Sequence, residues 1–387
     1  MLKKRMLLLL PLLMTANLFY GQTDTCSCID ALDDITYSIS HSRSYKVQIR
    51  SKEEKQALLD WKAHIEKEIQ NDSLKRFFCV GYLQKFGTFI KDQHNQIYTD
   101  PDSVPTTFPV YRPNGYTSST EDSISGNYYA GKEQINLVKV SDSTWLGIMV
   151  TSTDEKWNEG TIRLKINLLP TGNYELFEFY PNGLLFYRPH IAISGNRIHA
   201  TFWNKDNTYY FYKNHEQTFH YNSVSPQFDY VGIKTLSRTT QRIKEAKAFY
   251  DSLPALDKGN LIIDLRNNGG GATLQIKPLL KRVKKNKAIE HIYVIINFKT
   301  ASAAELAVLE LKKDPRTIVV GENSRGMMAY GYGNNSYSGE IPCKNVVFSY
   351  STKHAPSKPD DYEYKGITPD VLLNNQSDWI EQILQLQ

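Results

Sequence analysis

The alternation of apolar and polar residues changes period along the chain, and each change marks a different kind of structure. Up to about residue 98 the period is helical. Ser51-x-x-Glu54 has the form of a capping box, and Leu58, Trp61, Ile65 and Ile69 recur at helical spacing behind it. A second helix is predicted from near Asp72, with Phe77, Phe78, Leu83, Phe86 and Ile90 on one broad apolar face, ending near Asp92-Gln93-His94. Residues 99–119 are rich in Pro, Ser, Thr and Asp and read as a linker. Residues 120–225 switch to period two, as in 161–168 and 197–202. Turn signals stand at Thr171-Gly172-Asn173, Pro181-Asn182-Gly183 and Ser194-Gly195-Asn196. Short strands at that spacing predict a small sandwich or barrel. After Tyr230, apolar runs at 261–265, 291–297 and 317–320 alternate with helices expected from about Leu274 and Ala301. That βαβαβ order predicts a mainly parallel sheet covered by helices. A last helix is expected near 379–386. The fold class is therefore α/β, in the α+β multidomain sense: a leader at 1–22, an N-terminal helical subdomain at 23–98, the linker, a β-rich module at 120–225, and an α/β core at 226–387.

Composition narrows the picture. The chain has 387 residues, 41% of them hydrophobic, enough for two or three cores. With 46 Lys+Arg against 41 Asp+Glu and a net charge of +5, it is neither an acidic disordered chain nor a strongly cationic nucleic-acid binder. Lys3, Lys4 and Arg5 precede an apolar run at 6–14 that is too short for a bilayer of ~30 Å, so a secretory signal ending near Tyr20-Gly21-Gln22 is predicted. Its removal takes three positive charges from the +5 and leaves +2. No lipobox-like context precedes Cys26, so no lipid anchor is expected, and no later stretch reads as a membrane span. The expected location is periplasmic or secreted. Cys26, Cys28, Cys79 and Cys343 allow two disulfides in three full pairings. A bridge from Cys26 or Cys28 to Cys79, pinning the mature N-terminus to a helix, is expected. Cys26-x-Cys28 lacks the second close pair that a zinc site would need. Neither a metal nor a cofactor is predicted.

Four segments could carry chemistry. Residues 262–271 (IIDLRNNGGG) run from a buried strand into three glycines, where backbone N–H groups can converge on an anion. Taken alone they read first as a tight strand-to-helix turn, and no Gly-Lys-Ser/Thr or G-x-G-x-x-G marks a nucleotide loop. Residues 297–305 (NFKTASAAE) form another strand-to-helix junction and put Ser302 at the positive end of a helix dipole, with the Ala303 N–H beside it. Ser302-x-x-Glu305 is also a capping-box pattern, so the segment alone fits a helix cap. His94 could supply a base to a serine, or be a helix-end histidine, one of nine in the chain. Glu363, in Tyr362-Glu363-Tyr364-Lys365-Gly366-Ile367-Thr368-Pro369-Asp370, could orient an imidazole, while Gly366 and Pro369 read as turn residues and Asp370 as a backbone cap.

Together the four segments resemble the tail-specific, or C-terminal processing, serine peptidase family, whose relatives include the tricorn core peptidase and the repeats of the interphotoreceptor retinoid-binding protein. The resemblance is loose over 26–98, through an Asp-x-His after N-terminal helices. It is good over 228–387, through LIIDLRNNGGG, TASAAE, VVGENSRG and GITPD. It implies a crotonase/ClpP-like core, peptide-bond hydrolysis and a peptide or protein substrate. Ser302 falls on the family nucleophile. The processing-peptidase branch has a basic Lys where this chain has Met327, and a thioether cannot accept a proton, so a Ser/Lys dyad is excluded. The tricorn-like arrangement remains, with His94 as base and Glu363 as the acidic member, although Gln93 stands where tricorn has a serine. Gly270, Gly271 and Ala303 would supply the oxyanion hole. The middle of the chain shows no clear PDZ pattern. The resulting expectation is an exported serine peptidase. Its rival is a catalytically inactive peptide- or lipid-binding protein of the same fold.

Overall fold

The computed structural model describes residues 26–113, 115, 122–333, 335–354 and 360–386. The leader expected at 1–22 lies outside the described residues. Four helices come first: α1 (Cys28–Ile39), α2 (Arg43–Gln48), α3 (Lys52–Asn71) and α4 (Lys75–Gly87). The predicted capping box opens α3. Ser51 Oγ accepts from the Glu54 N–H at 3.1 Å, and Glu54 accepts from the Ser51 N–H at 2.8 Å. Only Leu58, Ile65 and Ile69 of α3 are fully buried, so it covers the unit from outside. Helix α4 is the central helix, buried from Phe78 to Leu83 and again at Lys85, Phe86 and Gly87.

After β1 (Gln96–Thr99), the middle of the chain makes a six-stranded antiparallel meander. Its strands are β2 (Gly126–Ala130), β3 (Glu133–Ser141), β4 (Thr144–Thr151), β5 (Ile162–Leu168), β6 (Tyr174–Phe179) and β7 (Leu185–Ile191). The sandwich or barrel expected here is not formed. A single sheet instead buries one face against α4, so the helices and the meander share one hydrophobic core. Gly81 makes this contact possible: a Cβ there would come within 2.5 Å of the Phe177 ring. A two-stranded hairpin follows, β8 (Ile193–Ser194) and β9 (Arg197–Ile198), so the alternating pattern read at 197–202 yields a strand only at its start.

Strand β10 (Phe219–Ser225) pairs antiparallel with β11 (Phe228–Ile233). The period-two pattern of 219–225 thus belongs to the core sheet, not to the meander. β12 (Asn260–Asp264), β13 (His291–Ile296), β14 (Thr317–Gly321) and, after the chain's excursions below, β19 (Val371–Leu372) extend that sheet in parallel, in the order β10-β11-β12-β13-β14-β19. Every residue of β11 and β12 is buried, as expected of parallel strands covered on both faces. Alternate residues serve opposite faces: Ile263 and Val294 join one apolar cluster, Ile262 and Ile295 the other. Helices α5 (Thr240–Ser252), α6 (Lys277–Lys285), α7 (Ala303–Leu311) and α8 (Trp379–Leu384) complete the core.

Short strands β15 (Tyr330–Gly331), β16 (Tyr337–Ile341), β17 (Val346–Tyr350) and β18 (Lys353–His354) lie between β14 and β19. β17 pairs with both β16 and β1, which docks the segment after His94 onto the C-terminal third. Cys28 is bridged to Cys79, tying α1 to α4 as expected of the N-terminus. Cys26 is bridged to Cys343, a partner that its spacing did not indicate. No helix among the described residues is long and apolar enough to cross a membrane.

Candidate active site

Parallel sheets present their functional loops at the carboxyl ends of the strands. The loops after β12 and β13 lie side by side there and are stitched together by amides and a hydroxyl. The Asn267 N–H donates to Asn297 Oδ1 at 3.0 Å, and Asn297 Nδ2 donates to Asn267 Oδ1 at 2.8 Å. Thr300 Oγ1 donates to Leu265 O at 2.8 Å, and the Ala301 N–H to Asn268 O at 2.9 Å. This lattice holds Ser302 in a conformation that L-residues rarely adopt, with φ 55° and ψ −120°. Such a geometry costs about 1–3 kcal/mol and persists only where its surroundings over-determine it. Gly270 is the closest of those surroundings. A Cβ on it would lie 2.8 Å from Ala301 O and 2.9 Å from the Ser302 Cβ, so only glycine lets the two loops approach.

Glu305 supports the turn from inside. Its buried carboxylate accepts from the Ser302 N–H at 2.8 Å, Ser324 Oγ at 2.6 Å, the Gly326 N–H at 2.6 Å and the Met327 N–H at 2.9 Å. Burial raises its pKa. Paired with Glu305 in a capping-box pattern, Ser302 opens α7. Its hydroxyl is turned toward His94, with Oγ 3.4 Å from His94 Nε2 across 208 positions of sequence. Met327 is buried, its N–H spent on Glu305.

The loop carrying His94 is clamped from several sides. Tyr332 donates its hydroxyl to His94 O at 2.7 Å, and its ring meets the imidazole edge-on. The Ser351 N–H donates to Asn95 Oδ1 at 3.2 Å, and the Gln93 N–H to Glu363 at 2.9 Å. Burial, with the nearby charge of Arg325 second, pushes His94 down to about 4, so the imidazole is neutral at pH 7. His94 Nδ1 is buried without a hydrogen bond, and Asp92 Oδ1 stands 3.7 Å from it. At that distance, and with a neutral ring, the two are not an ion pair until the imidazole takes a proton. Asp92 is buried, accepts from the His94 N–H and from the Ser351 hydroxyl, and is pushed up to about 6 by burial.

Glu363 is in this neighbourhood but makes no described hydrogen bond to His94. Its oxygens are taken by backbone donors, the N–H groups of Met328 at 2.7 Å, Ala329 at 2.6 Å and Gln93 at 2.9 Å. Burial, helped by the charge of Asp92, pushes it up to about 7. Of the expected oxyanion donors, the Gly270 N–H is engaged by Asn268 Oδ1 at 3.0 Å. No described residue accepts from the N–H of Gly271 or of Ala303. The closing GITPD segment locks the site from behind. Ser324 Oγ accepts from the Ile367 N–H at 2.7 Å, and a Cβ on Gly366 would lie 2.0 Å from Ser324 O. Asp370 caps backbone, accepting from the Val319 N–H at 2.8 Å.

Residues 279–373 match the model of Peptidase family S41. Over that stretch the chain is similar to the S41 peptidases. The matched stretch holds Ser302, Met327 and Glu363, while His94 and the LIIDLRNNGGG turn lie before it. No curated protein matches the chain. Similar solved structures include the photosystem II D1 C-terminal processing protease, at 12% identity, 93% coverage of this chain, 97% of that chain and a TM-score of 0.35. CPAF complexed with lactacystin has the same identity and coverages and a TM-score of 0.40. The tricorn protease gives 12% identity over 92% of this chain and 36% of its own, with a TM-score of 0.41. These scores are low, and the reading of the site rests on its own geometry.

Sequence reasoning did not single out Asn268, Asn297 and Thr300 as builders of the Ser302 turn, or Asp92, Arg325 and Tyr332 as neighbours of His94. The first three lie inside the motifs that were read, where polar residues between a buried strand and a helix are the available signal. Tyr332 comes from a segment with no motif.

Proposed function

We propose that the chain is an exported serine peptidase in which Ser302 is the nucleophile and His94 the general base. The observation that carries this reading is the 3.4 Å approach of Ser302 Oγ to a buried, neutral His94 Nε2, from a serine whose backbone is strained. Ser302 Oγ attacks the scissile carbonyl carbon as its proton passes to Nε2. The tetrahedral intermediate collapses, the C–N bond breaks, and the leaving amine takes that proton. A water then repeats the sequence on the acyl-enzyme and releases the acid. The Ala303 and Gly271 N–H groups fit the oxyanion role better than Gly270, whose N–H already has an acceptor. One such donor is worth about 3 kcal/mol of barrier. Asp92, nearest the orphaned Nδ1, and Glu363 behind it would support the imidazolium as it forms. Two disulfides suit the oxidising compartment that an exported chain meets. Turnover of a fluorogenic peptide library tests the reading. Ser302→Ala should lower it on the order of a million-fold with an unchanged melting temperature, and retained turnover would overturn the assignment.

A further inference from the structure

Beside Ser302 stand two cations with no carboxylate partner within ion-pair distance among the described residues. Lys299 precedes the serine on the same turn, its Nζ 5.0 Å and 5.1 Å from the ring centroids of Phe202 and Tyr212. Arg325 lies in the loop that Glu305 gathers, and its N–H donates to Thr300 O at 2.9 Å, which fixes its backbone against the serine turn. Gln93, adjacent to His94, holds Arg325 at two points. Its Oε1 accepts from Arg325 Nε at 3.0 Å, and its Nε2 donates to Arg325 O at 3.2 Å. With Nε held, the two outer guanidinium nitrogens make no hydrogen bond to any described residue. A third cation, Arg188 from β7, is paired with Glu178 at 2.7 Å, and its charge still reaches both of the others. Burial first, and then mutual repulsion, hold Lys299 below its ordinary range. Arg325 is exposed, so an incoming group can reach it.

A planar fork fixed by one nitrogen and open at the other two is the geometry that grips a carboxylate bidentately, and a lysine alongside adds a point charge. Like charges held together without counter-charges are relieved when an anion arrives. The fork is tied through Gln93 to the residue before His94 and through its own N–H to the residue two before Ser302, so any anion it holds sits next to the reacting centre. We infer that Arg325, oriented by Gln93 and reinforced by Lys299, is the subsite for an acidic side chain of the peptide substrate close to the scissile bond. The inference rests on the peptidase reading and names its substrate class. It also gives a role to Gln93, the residue by which this chain departs from the tricorn pattern.

The test uses binding, so that it stands apart from turnover. Ser302→Ala protein is titrated with labelled, C-terminally amidated peptides that differ only by Glu against Gln at successive positions, and with a neutral peptide ending in a free carboxylate. A hydrogen bond to a charged group contributes about 1.5–3 kcal/mol. The Glu peptide should therefore bind roughly ten- to a hundred-fold tighter at its best position, with the advantage shrinking as salt rises. Adding Arg325→Gln should bring the pair to parity, and Arg325→Lys should keep part of the preference. Equal binding of the Glu and Gln peptides overturns the inference. So does a preference that survives Arg325→Gln, or one that follows only the free C-terminus. If the Glu peptide is preferred but wild-type protein cleaves nothing, the peptidase reading fails and the subsite stands.

Discussion

Two regions of this molecule bury charge, and they do it in opposite ways. At the interface between α4 and the meander every buried charge has a counter-charge. Lys85 Nζ lies 2.7 Å from Glu68 and 2.9 Å from Glu175, and Lys165 Nζ lies 2.6 Å from Asp72. Tyr82, Tyr187 and Asn167 fill the remaining sites. Around His94 and Ser302 the buried acids Asp92, Glu305 and Glu363 have no described cation in ion-pair contact apart from an unprotonated histidine. They are held by N–H and O–H donors alone. The electrostatic consequence follows: Asp72 is kept below the usual carboxylate range by Lys165 despite its burial, whereas Asp92 and Glu363 are pushed toward neutrality by burial. Paired burial fixes one layer against another. Unpaired burial leaves groups that change charge near neutral pH, and this is what a proton-transfer site requires.

The largest stability effect is expected where the pairing is most complete. Lys85→Met leaves Glu175 buried with only neutral donors, and breaking a buried pair in this way costs about 3–5 kcal/mol. Denaturant titration of wild type and variant measures it, and a change well under 1 kcal/mol would mean that the interface does not depend on its charges. A smaller pair of effects should have opposite pH signs. Glu363 binds its proton more tightly folded than unfolded, so its support for the fold is fullest at low pH and is lost as pH rises from 4.5 through about 7. Asp72 has the reverse sign, with support that is present above its ordinary 3.8 and lost as pH falls through its lowered folded value. Melting curves of Glu363→Gln should therefore show the greater loss at pH 5 than at pH 8, and those of Asp72→Asn the greater loss at pH 7 than at pH 3. Parallel behaviour of the two variants would erase the distinction between the regions.

Legibility in the sequence followed the same division. The parallel core was readable because β12 and β13 are continuous apolar runs broken by Asn-Gly and Lys-Thr-Ala turns, and such a pattern has few other solutions. Ser302 was readable as a strand-to-helix junction, and the half-buried period of α3 announced itself with its cap. The meander was harder. Period two shows that one face is buried but not what covers it, so a helix as the covering layer, and Gly81 as the residue that admits the Phe177 ring, could not be seen. Strand β10 carries the same alternation as the meander and pairs elsewhere. The role of Asp92 was hidden for a related reason: an acid two positions before a histidine looks the same whether it caps a turn or faces the ring. The tie between Gln93 and Arg325 crosses 232 positions and left no local trace.

The most direct test of the account is the rate at which a fluorophosphonate attaches to Ser302 at pH 8, followed by intact-mass and peptide mapping in wild type, Ser302→Ala and His94→Gln. The account predicts a single adduct on Ser302 in wild type, none in Ser302→Ala, and labelling slowed by about a hundred-fold or more in the folded His94→Gln protein, the scale of general-base assistance. Labelling of His94→Gln as fast as wild type, or no adduct on wild-type Ser302, would contradict it.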